Sequence, residues 1–90
     1  MKATFSVVTS IDTLRSSFDD SICPEVEIEY EATFTGNMVV STKLLSIEEI
    51  PPKGIDARPK RLPIDSIPFP DLRWIMSTVH KDASERWEEA

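Results

Sequence analysis

The chain has 90 residues, 40% hydrophobic and 29% charged, enough for one domain with a modest core and too little for a second; the balance also excludes wholesale disorder. With 16 acidic residues against 10 basic, a formal charge of −6 and a pI near 4.6, nonspecific nucleic-acid or anionic-membrane binding is disfavoured and a basic partner surface is favoured. A lone cysteine, Cys23, rules out an internal disulfide and fits a reducing compartment; MKATFSVVTS has no signal-peptide apolar region and no apolar run reaches membrane-spanning length, so a cytoplasmic location is expected.

Taken in order, residues 2–9 read as a short strand, with Phe5 and Val7 on one face and Thr4, Ser6 and Val8 on the other. Residues 10–21 read as a loop or a short helix: Ile11, Leu14 and Phe18 recur at helical spacing behind Thr9 or Ser10 as caps, while Ser16-Ser17 and Asp19-Asp20 weaken a continuous helix. Pro24 restricts Cys23 to an extended backbone. No His, Lys or Arg lies within several residues of Cys23 to activate its thiol, so a structural cysteine is expected.

Residues 25–34, EVEIEYEATF, alternate acid with apolar residue. In a strand this places Val26, Ile28, Tyr30, Ala32 and Phe34 on one face and Glu25, Glu27, Glu29, Glu31 and Thr33 on the other. A helix would scatter the glutamates at about 100° per residue. After Thr-Gly-Asn, residues 38–48 form a second β-rich run and complete a hairpin. A two-residue Gly36-Asn37 loop pairs Phe34 with Val39, Ala32 with Ser41, Ile28 with Leu45 and Val26 with Ile47, and sets Lys43 beside Tyr30. A three-residue loop pairs Ile28 with Leu44 and Ala32 with Val40. The pattern leaves both registers open.

Six of the 7 prolines fall in residues 51–70, which read as an extended arm carrying Lys53, Arg58, Lys60 and Arg61, with Ile55, Leu62, Ile64, Ile67 and Phe69 pinned along the domain. Residues 71–88 read as an amphipathic helix: Pro70 suits a first turn, Asp71 suits the positive end of the dipole, and Leu72, Ile75, Met76, Val79 and Ala83 form one stripe. Trp74 falls outside the stripe. The expected fold is therefore α+β, a small antiparallel sheet of the hairpin and the N-terminal strand against one C-terminal helix.

The glutamate ladder offers carboxylates about 7 Å apart with no His or Asn beside them, which suits a solvated face better than a metal or acid/base site. His80 has no visible partner, and no Gly-rich phosphate loop, CxxC, HExxH or GxSxG pattern occurs. No enzyme activity, cofactor or metal is expected. Glu25, Glu27, Glu29 and Glu31 are the candidate contacts for a basic protein partner, with Trp74 as an aromatic contact. Arg58, Lys60 and Arg61 are expected to meet this protein's own acids or a partner's; nucleic-acid binding through that arm is the least favoured reading.

In layout, EVEIEYEATF, the short hairpin, the proline-rich connector and the closing acidic helix look like small uncharacterised proteins encoded by tailed bacteriophages. The resemblance implies a non-enzymatic accessory protein or host-factor inhibitor, an acidic nucleic-acid mimic being its sharpest form, and assigns no residue a role. The competing class is a structural or oligomer-forming protein, and open sheet edges on so short a chain lead us to expect a homodimer more often than a monomer.

Overall fold

The computed structural model describes residues 1–89. Its four-stranded antiparallel sheet has strands in chain order, β1 (Lys2–Ser10), β2 (Glu25–Thr35), β3 (Met38–Ile50) and β4 (Lys60–Arg61), and one helix, α1 (Phe69–Glu85), lies across one face. The α+β architecture read from the sequence holds. The inner side chains of β2 run without interruption into the core: Val26, Ile28, Tyr30, Ala32 and Phe34 are all buried, and Ile47, Ile75, Val79 and Ala83 meet them from β3 and α1. Phe5 adds an edge-on contact to Phe34 and a tilted one to Tyr30, with ring centroids 6.3 and 5.9 Å apart.

Gly36 and Asn37 form a two-residue hairpin loop, and Gly36 takes the positive φ of 62° that the first position of such a turn demands. Phe34 duly pairs with Val39, but neither simple register continues beyond it. Two bulges in β3, at Val40 and Leu45, carry the pairing through Tyr30 with Leu44 to Ile28 with Ile47 and Val26 with Glu49. The reason is the polarity of β3. An unbulged ladder would turn Lys43 inward beside Tyr30. The first bulge instead sends Lys43 outward opposite Glu31 and brings Leu44 in, and the second returns Ile47 to the core. The cost is that Val40 and Leu45 stand exposed.

Residues 11–24 form a loop with turns at Ile11–Leu14 and Asp19–Ile22, not a helix. Ser16 and Ser17 spend their hydrogen bonds elsewhere, as described below, and Ile11 is drawn into the core beneath the loop, its amide held by the Pro24 carbonyl at 3.0 Å. The proline-rich connector is not uniformly extended either. It turns at Pro52–Ile55, where Gly54 has φ 94°, adds β4 to the β3 edge, and makes a 3-10 turn at Ile64–Ser66. Ile67 is buried and Leu62 and Ile64 are half-buried, but Ile55 and Phe69 remain exposed.

The helix begins two residues before the predicted start and stops three short of the predicted end. Its first amide bond, from Leu72 to the Pro68 carbonyl at 2.9 Å, lets Pro70 occupy the first turn, where its missing N–H costs nothing. At the other end Arg86 leaves helical geometry, bonds Asp82 at 3.2 Å and covers the Phe5 ring at 5.4 Å. Glu85, Glu88 and Glu89 would oppose the negative end of a longer helix, and residues Trp87–Glu89 form a separate 3-10 turn.

Candidate functional site

Because α1 and the connector cover only the inner face of the sheet, the outer face is lined by whatever the alternation turns outward. On β2 these are Glu25, Glu27 and Glu29, all exposed, and Glu31, half-buried. Their neighbours across β1 are Ser10, Val8, Ser6 and Thr4, and across β3 Ile50, Glu48, Ser46 and Lys43. Charge is distributed unevenly along this ladder. At the Glu31 end Lys43 stands opposite and Lys2 approaches to 4.0 Å; toward the other end Arg61 of β4 stands opposite Glu48 without forming an ion pair. At the other end Glu27 faces Glu48, a like-charge pair in directly opposed positions, which destabilises a sheet. Among the described residues, no ion pair relieves Glu25, Glu27, Glu29 or Glu48.

The remaining residues singled out from the sequence lie elsewhere. Lys60 and Arg61 form β4 and stand opposite Glu49 and Glu48, so the basic arm does lie beside the protein's own acids, on the edge of the sheet. Arg58 is exposed in the stretch leading to it. Trp74 is on the helix side of the molecule, away from the ladder, and is 45% exposed. With Ile11, Asp12, Thr13, Pro70 and Asp71 it lines a groove of about 290 Å³. The ladder and Trp74 therefore do not form one surface. His80 is exposed on α1, and the Cys23 thiol donates to the Asp12 carbonyl at 3.5 Å. Among the described residues, no group of three His, Cys, Asp or Glu side chains converges as a metal ion requires, and no helix is long and apolar enough to cross a membrane.

Sequence reasoning missed three polar anchors under the sheet. The second bulge turns Glu49 inward, where it is 1% exposed. Its carboxylate accepts the Ser16 hydroxyl, the Ser17 hydroxyl at 2.7 Å, and the Ser17 amide at 3.1 and 3.2 Å to its two oxygens. Burial alone would raise this carboxyl; the serine hydroxyls, the Ser17 amide and the charge of Lys60 outweigh it and hold the group below its ordinary value of 4.5. Asp71, buried in the first turn of α1, accepts the Thr13 hydroxyl. Tyr30 donates its phenol to Asp82, and burial, followed by that bond and the Asp82 charge, pushes the phenol well above its ordinary value of 10. These anchors tie the loop and helix to the sheet and leave the outer face bare. The signal for Glu49 was present in the IEEI run: an acid breaking an alternating strand needs donors, and Ser16-Ser17 were available.

No protein-family model, curated protein or solved structure matches the chain.

Proposed function

We propose that this is a small acidic, non-enzymatic binding protein that engages the basic surface of a protein partner through the uncovered sheet face, with Glu25, Glu27, Glu29 and Glu31 as principal contacts. The observation that carries the reading is the excess of negative charge at one end of that face, where Glu27 directly opposes Glu48 and, although Arg61 stands opposite Glu48 from β4, neither glutamate forms an ion pair among the described residues. A solubilising face needs charge, but not like charges in directly opposed positions. A cationic partner removes that repulsion on binding, so the free energy lost in the isolated fold reappears as affinity and as electrostatic steering. The resemblance of the sequence layout to small phage-encoded proteins suggests, as the setting, an accessory or host-factor inhibitor acting in the cytoplasm.

The test compares two charge reversals. Partner captured by the wild-type protein should be lost with Glu27→Lys/Glu29→Lys and retained with Glu85→Lys/Glu88→Lys, which changes net charge equally on the helix side. Binding should also weaken as salt rises, since exposed charges are screened beyond about 8 Å at physiological ionic strength. Equal binding by the two variants would reduce the ladder to a solubilising face.

A further inference from the structure

The two edges of the sheet are treated differently. Along the β3 edge, two bulges interrupt the strand, Lys60 and Arg61 pair beside Glu49 and Glu48, and the Leu62 amide caps the Ile47 carbonyl at 2.8 Å. These devices blunt an edge. The β1 edge has none of them. Its 9 residues, KATFSVVTS, contain no proline and a single charge, Lys2, and its register with β2 is unbroken from Lys2 to Ser10.

The polarity of that edge follows from its ends. Met1 and Phe34 exchange both backbone bonds, at 2.7 and 3.1 Å, and the Ile11 amide donates to the Pro24 carbonyl at 3.0 Å. Antiparallel ladders alternate, so Ala3, Phe5, Val7 and Thr9 direct their amides and carbonyls to β2. Lys2, Thr4, Ser6, Val8 and Ser10 direct theirs to the free edge. The core is also thin there: α1 packs chiefly on β3, leaving Ala3, Phe5 and Val7 only half-buried, and Val8 is 49% exposed on the outer face.

We propose that β1 is a self-association edge through which a second copy of this chain pairs antiparallel, with Ser6 opposite Ser6. This register joins Lys2 to Ser10 and Thr4 to Val8 as hydrogen-bonded pairs, so every outward amide and carbonyl from Lys2 to Ser10 finds a partner. On the inner face it sets Phe5 against Val7 in the non-hydrogen-bonded position, where side chains approach most closely. No like charges meet across the seam. The two glutamate ladders lie three strand spacings apart, about 14 Å, beyond the screening distance of about 8 Å. The occupant is a second copy because the strand is complementary to itself in polarity, in apolar pairing and in charge. A seam of one strand falls below the roughly 800 Å² per partner of a standard stable interface, so the dimer is a reversible one. Side chains opposed across antiparallel strands share a face, so both acidic faces point the same way. The inference rests on the edge and is independent of the partner reading above.

Sedimentation of the wild-type chain should show monomer giving way to dimer with rising concentration. Ser6→Lys should abolish the dimer by setting two lysines opposite each other, while in the monomer the new lysine stands beside Glu29 and keeps the fold. A wild-type chain that stays monomeric at high micromolar concentration, or a Ser6→Lys variant that dimerises as the wild type does, overturns the proposal. A cross-link fixes the register and decides the matter should Ser6→Lys fail to fold. In a Cys23→Ser background, Ser6→Cys should oxidise to a covalent dimer, because a hydrogen-bonded pair brings Cα atoms to about 5.5 Å, within disulfide reach. Thr4→Cys, whose partner is Val8, should not. No covalent dimer from Ser6→Cys, or equal yields from both positions, sinks the proposed seam.

Discussion

Ser17 donates both its amide and its hydroxyl to the Glu49 carboxylate, so one residue of the long loop holds an acid that the second bulge of β3 has turned into the protein. The relationship is local chemistry with a global effect: it closes the loop of residues 11–24 against the sheet at the end where α1 begins.

Charge-assisted hydrogen bonds of this kind contribute about 1.5–3 kcal/mol each, and leaving their donors unpaired costs a similar amount. Glu49→Gln, which keeps the shape but replaces one acceptor oxygen with a donor, should lower stability by roughly 1–3 kcal/mol in urea unfolding at neutral pH. The sign of the pH dependence is fixed by the depressed carboxyl. Its stabilisation is fully present above the ordinary value of 4.5 and is lost as pH falls through the lower folded-state value. The gap between wild type and Glu49→Gln should therefore narrow in acid. A gap that stays constant from pH 7 to pH 3 would show that the carboxylate is not the stabilising form.

Tyr30 makes the opposite prediction at the alkaline end. Its folded-state phenol is raised above 10, so its stabilisation is complete below pH 10 and declines as pH rises toward the folded-state value. As the chain has one tyrosine, tyrosinate absorbance reports this site alone. The native protein should show no phenol titration near pH 10, and the signal should appear when the fold is lost. A normal titration in the folded protein would mean that the Asp82 bond is not maintained in solution.

Ile28 is fully buried opposite Ile47 at the centre of β2. Truncating it removes about 2 kcal/mol of burial and leaves a cavity, so Ile28→Ala should cost roughly 2–5 kcal/mol, read as a clear fall in the urea midpoint. Replacing Val40, which stands exposed at the first bulge, with alanine should change the midpoint by no more than about 0.5 kcal/mol. Equal effects at the two positions would contradict the assigned faces.

The alternation of β2 was legible because a strand buried on one face writes its burial directly into sequence, and every inward residue from Val26 to Phe34 was read correctly. The hairpin loop was legible through Gly36-Asn37. The pairing beyond it was not, because a bulge is a response to what two strands require of each other. Val40 and Leu45 look like ordinary apolar strand residues until Lys43 has to be kept from Tyr30. Residues 10–21 stayed open between loop and short helix for a related reason. Ser16 and Ser17 look like poor helix residues, and their use as donors appears only once Glu49 is known to point inward. The outer glutamates were readable as a face. Their separation from Trp74 was not, because it depends on which side of the sheet the helix crosses.

The two bulges also make β3 tolerant of changes in length. Without Val40 or without Leu45, the chain closes into a straighter ladder in which Val39, Leu44, Ile47 and Glu49 all keep their inward positions and Lys43 still points out. Nothing comparable protects β2, where the loss of Glu29 would rotate half the strand and turn Val26 and Ile28, or Tyr30 and Phe34, toward water. Single deletions should therefore sort by strand: removal of Val40 or Leu45 should leave a folded protein with a modestly shifted urea midpoint, and removal of Glu29 should abolish the cooperative transition. In this sheet the residues that fit the ladder least are the ones whose removal is most easily absorbed, and they mark where the chain can gain or lose a codon without losing its fold.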